Sequence, residues 1–239
     1  MNGIKEKFIQ DFIEGERWRY ITGGLKITLI VTLLSLVFGC LIGMLVAIIR
    51  CAHDQKKQQD KKNFGDIVLD ILDKICQLYV TIIRGTPTLV QLLIMFFIIL
   101  VTFNSKIAVA VITFSINSGA YVSEIFRGGI MAVDNGQMEA GRSLGLSYIQ
   151  TMIFIIIPQA LKSALPSLVN ELITLLKETS ICGYIGLNEL TRGGDIIRGT
   201  TFDALLPLFL VALIYLVMVL GITAIFNRIE RRLRQSDNR

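Results

Sequence analysis

The chain has 239 residues, of which 53% are hydrophobic and 18% charged, against roughly 25% charged in a soluble domain. Its charges are clustered, leaving long stretches with almost none, as a bilayer demands when a mid-membrane charge costs several kcal/mol; no stretch remains for a separate soluble domain. The formal net charge of +5 does not point to nucleic acid, because the basic residues flank apolar runs instead of forming a basic and aromatic surface.

Residues 1–20 are polar and mixed in charge, with no apolar core of a cleaved signal peptide. A first span is expected at 25–49, interrupted by Lys26 and carrying Gly39-x-x-x-Gly43, which fits either close helix approach or ordinary membrane glycine. Residues 50–65 (Arg50, His53, Lys56, Lys57, Lys61, Lys62 against Asp54 and Asp60) form a basic loop expected to be cytoplasmic, which puts the N-terminus outside. An amphipathic interfacial segment at 66–79 leads into a second span at 75–100, followed by a third at 107–126. A polar cytoplasmic loop at 127–148 precedes a fourth span at 151–176, with Pro158 and Pro166 inside it. A Gly- and Thr-rich outer connection at 177–203 then leads to a fifth span at 204–226. The tail Arg228, Arg231, Arg232 and Arg234 marks a cytoplasmic C-terminus. The expected fold is therefore an all-α integral membrane protein, a single multi-pass domain in the cell membrane.

The chemistry of the side chains excludes much. Cys40, Cys51, Cys76 and Cys182 are scattered without a C-x-x-C pair, and His53 is the only histidine. That argues against zinc, a disulfide framework and every scheme built on a histidine base. No Gly-Lys pair occurs, so there is no P-loop; any ATP is handled by a partner, and no cofactor is implied.

One loop carries a specific signal. Glu139-Ala140-Gly141-x-x-x-Gly145 is followed, nine residues on, by Ile155-Ile156-Ile157-Pro158. This resembles the E-A-A-x-x-x-G-x(9)-I-x-L-P loop of permeases of ATP-binding-cassette importers, with Gly141 in place of the second Ala and Ile157 in place of Leu. Ile83-Arg84-Gly85-Thr86-Pro87 with Gln91, Ala120-Tyr121-x-x-Glu124-Ile125-x-Arg127-Gly128-Gly129-Ile130, Gly136-Gln137, Pro158-Gln159-Ala160, Asn170 and Lys177-Glu178-Thr179-Ser180 resemble blocks of the polar amino-acid permeases that serve histidine, glutamine, arginine and glutamate. The resemblance implies the type I importer fold, a cytoplasmic ATPase dimer, a second permease copy or paralogue, an extracytoplasmic solute-binding protein and a polar amino acid as solute. It also implies that Glu139, Ala140, Gly141 and Gly145 couple the chain to the ATPase, a short helix made small-faced by Ala140, Gly141 and Gly145 seating in its groove. A related machine for methionine, a metal or a peptide is the alternative within the class. An ion-coupled carrier fits less well, since five spans without repeats are few for one, and no catalytic constellation supports an intramembrane enzyme.

Independently of family, the fourth span is two-faced. At a helical period, Gln159, Ser163, Ser167, Asn170, Thr174 and Lys177 fall within an arc of roughly 80°, with Glu171 on its flank. Leu161, Leu165, Leu168, Leu172, Leu175 and Leu176 fill the opposite arc, expected to face lipid. Two readings fit the polar stripe. Either Ser167, Asn170, Glu171, Thr174 and Lys177 line a solute path, joined by Arg84, Thr86 and Gln91, or the stripe is hydrogen-bond glue or a seam between two copies. Arg84 fits either a role on the solute carboxylate or an interfacial anchor. Tyr121 reads as packing, and Glu124 and Arg127, three apart at a helix end, as a structural ion pair.

Overall fold

The computed structural model describes residues 2–56 and 64–237, with side chains over 5–54 and 64–231. Lys56, Lys57, Lys61, Lys62, Arg232 and Arg234, used above as inside markers, lie outside the described side chains. Among the described residues the secondary structure is helical throughout. In chain order the helices are α1 (Asn2–Phe8), α2 (Trp18–Lys56), α3 (Phe64–Gly85), α4 (Thr88–Ile94), α5 (Lys106–Met131), α6 (Asn135–Ser143), α7 (Tyr148–Thr151), α8 (Ile157–Glu178), α9 (Leu190–Thr201) and α10 (Leu205–Asp237). Four described helical stretches are long and apolar enough to cross a membrane: Trp18–Asp54, Lys106–Met131, Tyr148–Ile185 and Leu205–Arg231. A fifth crossing requires counting Phe64–Gly85 and Thr88–Ile99 as one broken span.

That break departs from the continuous run expected at 75–100. The two helices are bent by 108°, at the Gly85-Thr86-Pro87 step. Pro87 has no N–H to continue the ladder, and its ring disfavours helical backbone at the residue before it. It sits extended at φ −65°, ψ 135° at the head of α4, while the Thr86 hydroxyl turns back to donate to the Ile82 carbonyl at 2.8 Å. The interfacial segment expected at 66–79 is simply the first part of α3. Pro158 acts more gently. A widened π-turn at Met152–Ile156 directly precedes it, where a proline cannot supply the donor that the Phe154 carbonyl would otherwise receive.

The chain forms two compact units. Unit 1 holds Met1–Leu36, Pro87–Phe114 and Leu172–Arg239; unit 2 holds Val37–Thr86 and Ser115–Glu171. Helices α2, α5 and α8 contribute residues to both.

Unit 1 is built on apolar packing. Val31, Leu92, Phe114, Leu175, Cys182 and Ile185 form one buried cluster, and Phe12, Ile21, Leu190, Ile197 and Val211 another. Phe12 belongs to the N-terminal stretch that reads as merely polar in sequence; it is 3% exposed because α1 runs on through a π-turn at Ile9–Ile13 and lays this ring on the second cluster. The connection at 177–203 also has structure of its own, a 3₁₀ segment at Thr179–Ile185 and then α9. Glu189 starts α9: its carboxylate accepts from the Thr191 and Arg192 N–H groups, each at 2.7 Å, and from the Tyr215 hydroxyl at 3.2 Å. Burial pushes this carboxyl above its ordinary range, and those hydrogen bonds pull it back.

In unit 2, as at Gly24, Gly193 and Gly194 of unit 1, glycines permit close helix contacts. A Cβ on Gly39 would lie 2.9 Å from the Ser118 Cβ, and one on Gly43 would lie 2.6 Å from Val122 Cγ1. The Gly39-x-x-x-Gly43 pair is therefore the face on which α2 meets α5. Val46, Cys76, Val80 and Ala120 pack on one side of this contact, and Ala47, Val122, Phe126 and Ala164 on the other.

Candidate functional site

Close packing of small residues leaves a cavity in unit 2. On α5, Gly129 approaches α8 so closely that a Cβ there would lie 2.7 Å from the Ala160 carbonyl oxygen. Beside this contact lies a cavity of about 440 Å³ lined by Arg84, Tyr121, Glu124, Ile125, Gly128, Gly129, Ser163, Ala164, Ser167 and Glu171, within the roughly 300–1,000 Å³ of small-ligand pockets. Three expected pathway residues meet here: Arg84, Ser167 and Glu171. Arg84 lies over the Tyr121 ring, its guanidinium carbon 5.3 Å from the ring centroid, an attractive cation–π geometry. Glu171 is 9% exposed and accepts a hydrogen bond of 2.7 Å from the Ser118 hydroxyl. A cation, Arg84, and two carboxylates, Glu124 and Glu171, on one small cavity offer what an α-amino acid's two charged groups require. The other expected residues do not line it. Thr86 is exposed at the α3–α4 bend, Asn170 is exposed on α8, and Gln91, Thr174 and Lys177 belong to unit 1.

The leucine face of α8 departs from expectation. Leu175 and Leu176 are each 1% exposed, and Leu165, Leu168 and Leu172 are half-buried, so most of the leucine arc packs inside the chain instead of facing lipid. Gln159, Ser163, Ser167, Asn170, Thr174 and Lys177 are all exposed on the surface of the single chain. The reason is that the chain's own apolar clusters claim Leu175 and Leu168. A row of amide, hydroxyl and ammonium groups is not left to hydrocarbon, so this face meets water or another protein surface.

The loop with the importer-like spacing is a built structure. Asp134 caps α6 by accepting from the Gly136 N–H at 2.7 Å. At the other end the Leu146 N–H donates to the Gly141 carbonyl and the Gly145 N–H to the Arg142 carbonyl, the two bonds of a Schellman motif. This places Gly145 at φ +85°, a left-handed position that glycine takes without strain. Ser147 and Gln150 then form a capping box at the head of α7. Glu139 and Ala140 are exposed, as a docking face requires. Gly141 is not part of that face: it is buried, and a Cβ on it would lie 2.5 Å from Thr151 Cγ2. Its smallness seats α6 against α7 within the chain. The exposed apolar groups are instead Met131, Leu144 and Ile149, at 71%, 81% and 67%. Isolated apolar residues in a polar loop carry no period, so nothing in the sequence marks these three.

Charges gather where α2, α3 and α5 meet in unit 2. Glu124 is ion-paired with Arg50, and Arg127 with Asp54 at 3.3 Å; each answers a charge on α2, where the sequence suggests a pair within α5. Arg50 also reaches Asp73 at 3.8 Å, and His53 lies 3.1 Å from Asp70 and 3.3 Å from Asp73. In sequence Arg50 reads as the first cation of the basic loop at 50–65, and Asp73 as part of the amphipathic segment at 66–79. In unit 1 a second cavity of about 330 Å³ is lined by Ser180, Gly183, Tyr184, Glu189, Thr191, Arg192, Asp195 and Leu208. There the Arg198 and Arg192 guanidinium groups hold the Asp195 carboxyl below its usual range.

Comparison with known proteins agrees with this architecture. Residues 69–235 match the family described as binding-protein-dependent transport system inner membrane component. The chain is 39% identical to the putative glutamine transport system permease protein GlnP of Rickettsia felis, over 90% of this chain and 93% of that one. It is 37% identical to the arginine transport system permease protein ArtQ of Bacillus subtilis, over 91% and 94% of the two chains. A solved amino acid ABC transporter with histidines superposes with a TM-score of 0.79 at 37% identity, covering 92% of this chain and 96% of that one. The MetNI methionine ABC transporter shares the fold, with a TM-score of 0.73 at 21% identity over 89% and 95% of the chains. The resemblance drawn from Glu139–Pro158 and the Arg-Gly-Thr-Pro stretch is thus borne out: the chain belongs to the binding-protein-dependent transport system inner membrane components, as an ABC-transporter permease subunit with several membrane-spanning helices.

Proposed function

We propose that this chain forms the membrane path of an ATP-driven importer for a polar amino acid. The observation that carries the reading is the unit 2 cavity, whose wall brings Arg84, Glu124 and Glu171 together with Ser163 and Ser167. The relatives named for glutamine and arginine support the solute class. Arg84 attracts the carboxylate of the solute, and Glu171 and Ser167 offer acceptors to its ammonium group. The exposed stripe through Asn170, Thr174 and Lys177 is covered by a second permease copy or a paralogue, which encloses the path between them. An extracytoplasmic solute-binding protein delivers the solute, and a cytoplasmic ATPase dimer supplies the motion through Glu139, Ala140 and the exposed Leu144 and Ile149. Rigid-body movement of the docked α6–α7 segment then tilts the helices attached to it. The N-terminus lies outside and the C-terminus inside, as the basic segments at 50–65 and 228–234 direct.

Uptake by the reconstituted transporter tests the path. Asn170→Leu and Glu171→Gln are expected to weaken uptake per assembled complex, since each lost hydrogen bond to a charged solute group costs about 1.5–3 kcal/mol. The exposed stripe also fits the second reading, a seam alone. Reduced dimer yield with normal uptake per surviving complex would establish the seam and refute the path. Labelling of single-cysteine variants in 50–65 or 228–234 from outside the cell would refute the orientation.

A further inference from the structure

We infer that Arg50 sets the charge of the unit 2 cavity, acting through Glu124, and so biases it toward amino acids with uncharged side chains. This rests on reading that cavity as the solute path. Glu124 lines the cavity with Arg84 and Glu171, whereas Arg50 does not line it. Arg50 comes from α2 and its Nη1 donates to Glu124 Oε1 from behind the wall. The burial is graded in the same sense: the Glu124 side chain is 29% exposed and the Arg50 side chain 13%. The guanidinium is fixed from its far side by Asp73, whose side chain is 4% exposed and whose Oδ1 lies 3.8 Å from Arg50 Nε. Asp73 is in turn held by Gln77, which donates to its Oδ2 at 2.6 Å, and lies 3.3 Å from His53.

At Glu124 a solute therefore meets a neutralised ion pair and not a free carboxylate. Away from bulk water such a pairing is weakly screened, so the partner of Glu124 decides how strongly a second positive charge on the solute is attracted. With Arg50 present, a lysine or arginine side chain gains little from Glu124. Without it, Glu124 becomes an anion facing the cavity. Arg50 is thus a positioning residue with a selectivity effect, distinct from a merely stabilising ion pair, whose loss lowers yield without altering which solute binds.

The test is binding of radiolabelled glutamine and arginine to the assembled transporter, purified without its solute-binding protein so that only the membrane path selects. Arg50→Gln is expected to raise the arginine-to-glutamine affinity ratio roughly tenfold, the scale of one partly screened charge contact. Arg50→Gln/Glu124→Gln is expected to return the ratio to the parent value. Because Arg50→Gln leaves Asp73 without its cation, Arg50→Gln/Asp73→Asn is measured beside it and is expected to show the same shift in assembled protein. A parent that binds glutamine or arginine, with a ratio unmoved in Arg50→Gln and in Arg50→Gln/Asp73→Asn, overturns the inference alone. A shift that persists in Arg50→Gln/Glu124→Gln also overturns it. A parent that binds neither amino acid refutes the path reading and this inference together.

Discussion

Both units bury carboxylates, and they answer them differently. In unit 1 Glu189 is 1% exposed and accepts from two backbone N–H groups at the head of α9 and from the Tyr215 hydroxyl. In unit 2 Glu171 is met by the Ser118 hydroxyl, and Asp73 by Arg50 and Gln77, all side chains. A carboxylate held by backbone is fixed with its helix; one held by side chains can exchange partners as rotamers move. The cavity with opposed charges lies in the second kind of surroundings. The lesson is that buried charge alone does not mark a functional site in a membrane protein. What satisfies the charge is the better guide.

Truncating the unit 1 acid is the most damaging change this comparison predicts. Glu189→Ala removes three accepted hydrogen bonds and a helix cap, a loss of about 2–4 kcal/mol, read as a lower thermal midpoint and yield with unchanged uptake per surviving complex. Lower uptake per complex at unchanged stability would break the contrast between the units. Next in size is Gly141→Val in unit 2, where a Cβ alone would lie 2.5 Å from Thr151 Cγ2. Overpacking of about 1–3 kcal/mol should separate α6 from α7 and lower the coupling of ATP hydrolysis to uptake, measured as the ratio of the two rates. Gly145→Ala acts on the same segment through backbone alone. Its φ of +85° makes the cost of a side chain about 1 kcal/mol, so coupling should fall less than in Gly141→Val; an equal or larger fall would show that the surface at Gly145, and not its conformation, is what matters.

The smallest effect is a pH dependence in unit 1. The folded protein holds the Asp195 carboxyl below its ordinary value, chiefly through the hydrogen bond from Arg198. Its contribution is therefore complete above the ordinary aspartate value and lost as pH falls through the lower folded one. The groups are exposed, with side chains at 33% and 48%, so the loss is within the roughly 0–1 kcal/mol of a surface pair. Asp195→Asn should remove that acid-side slope from the thermal midpoint, and a slope left intact would assign it to another carboxylate.

Sequence alone reached the membrane class, the apolar helices and the permease family, because hydropathy, charge clustering and the fixed spacing from Glu139 to Pro158 are properties of the linear chain. It also identified both faces of α8, since helical period orders side chains without reference to anything outside the helix. Which face turned inward was a tertiary decision: Leu175 found apolar partners within unit 1 and Leu176 was buried beside it, and the polar row was left on the surface. The 108° break at Pro87, the ring of Phe12 against Ile21 and Leu190, and the internal use of Gly141 were decided in the same way. The ion pair of Glu124 with Arg50 spans 74 positions in sequence. A helical period pairs residues three or four apart; only the packing of α2 on α5 along Gly39 and Gly43 brings these two charges together.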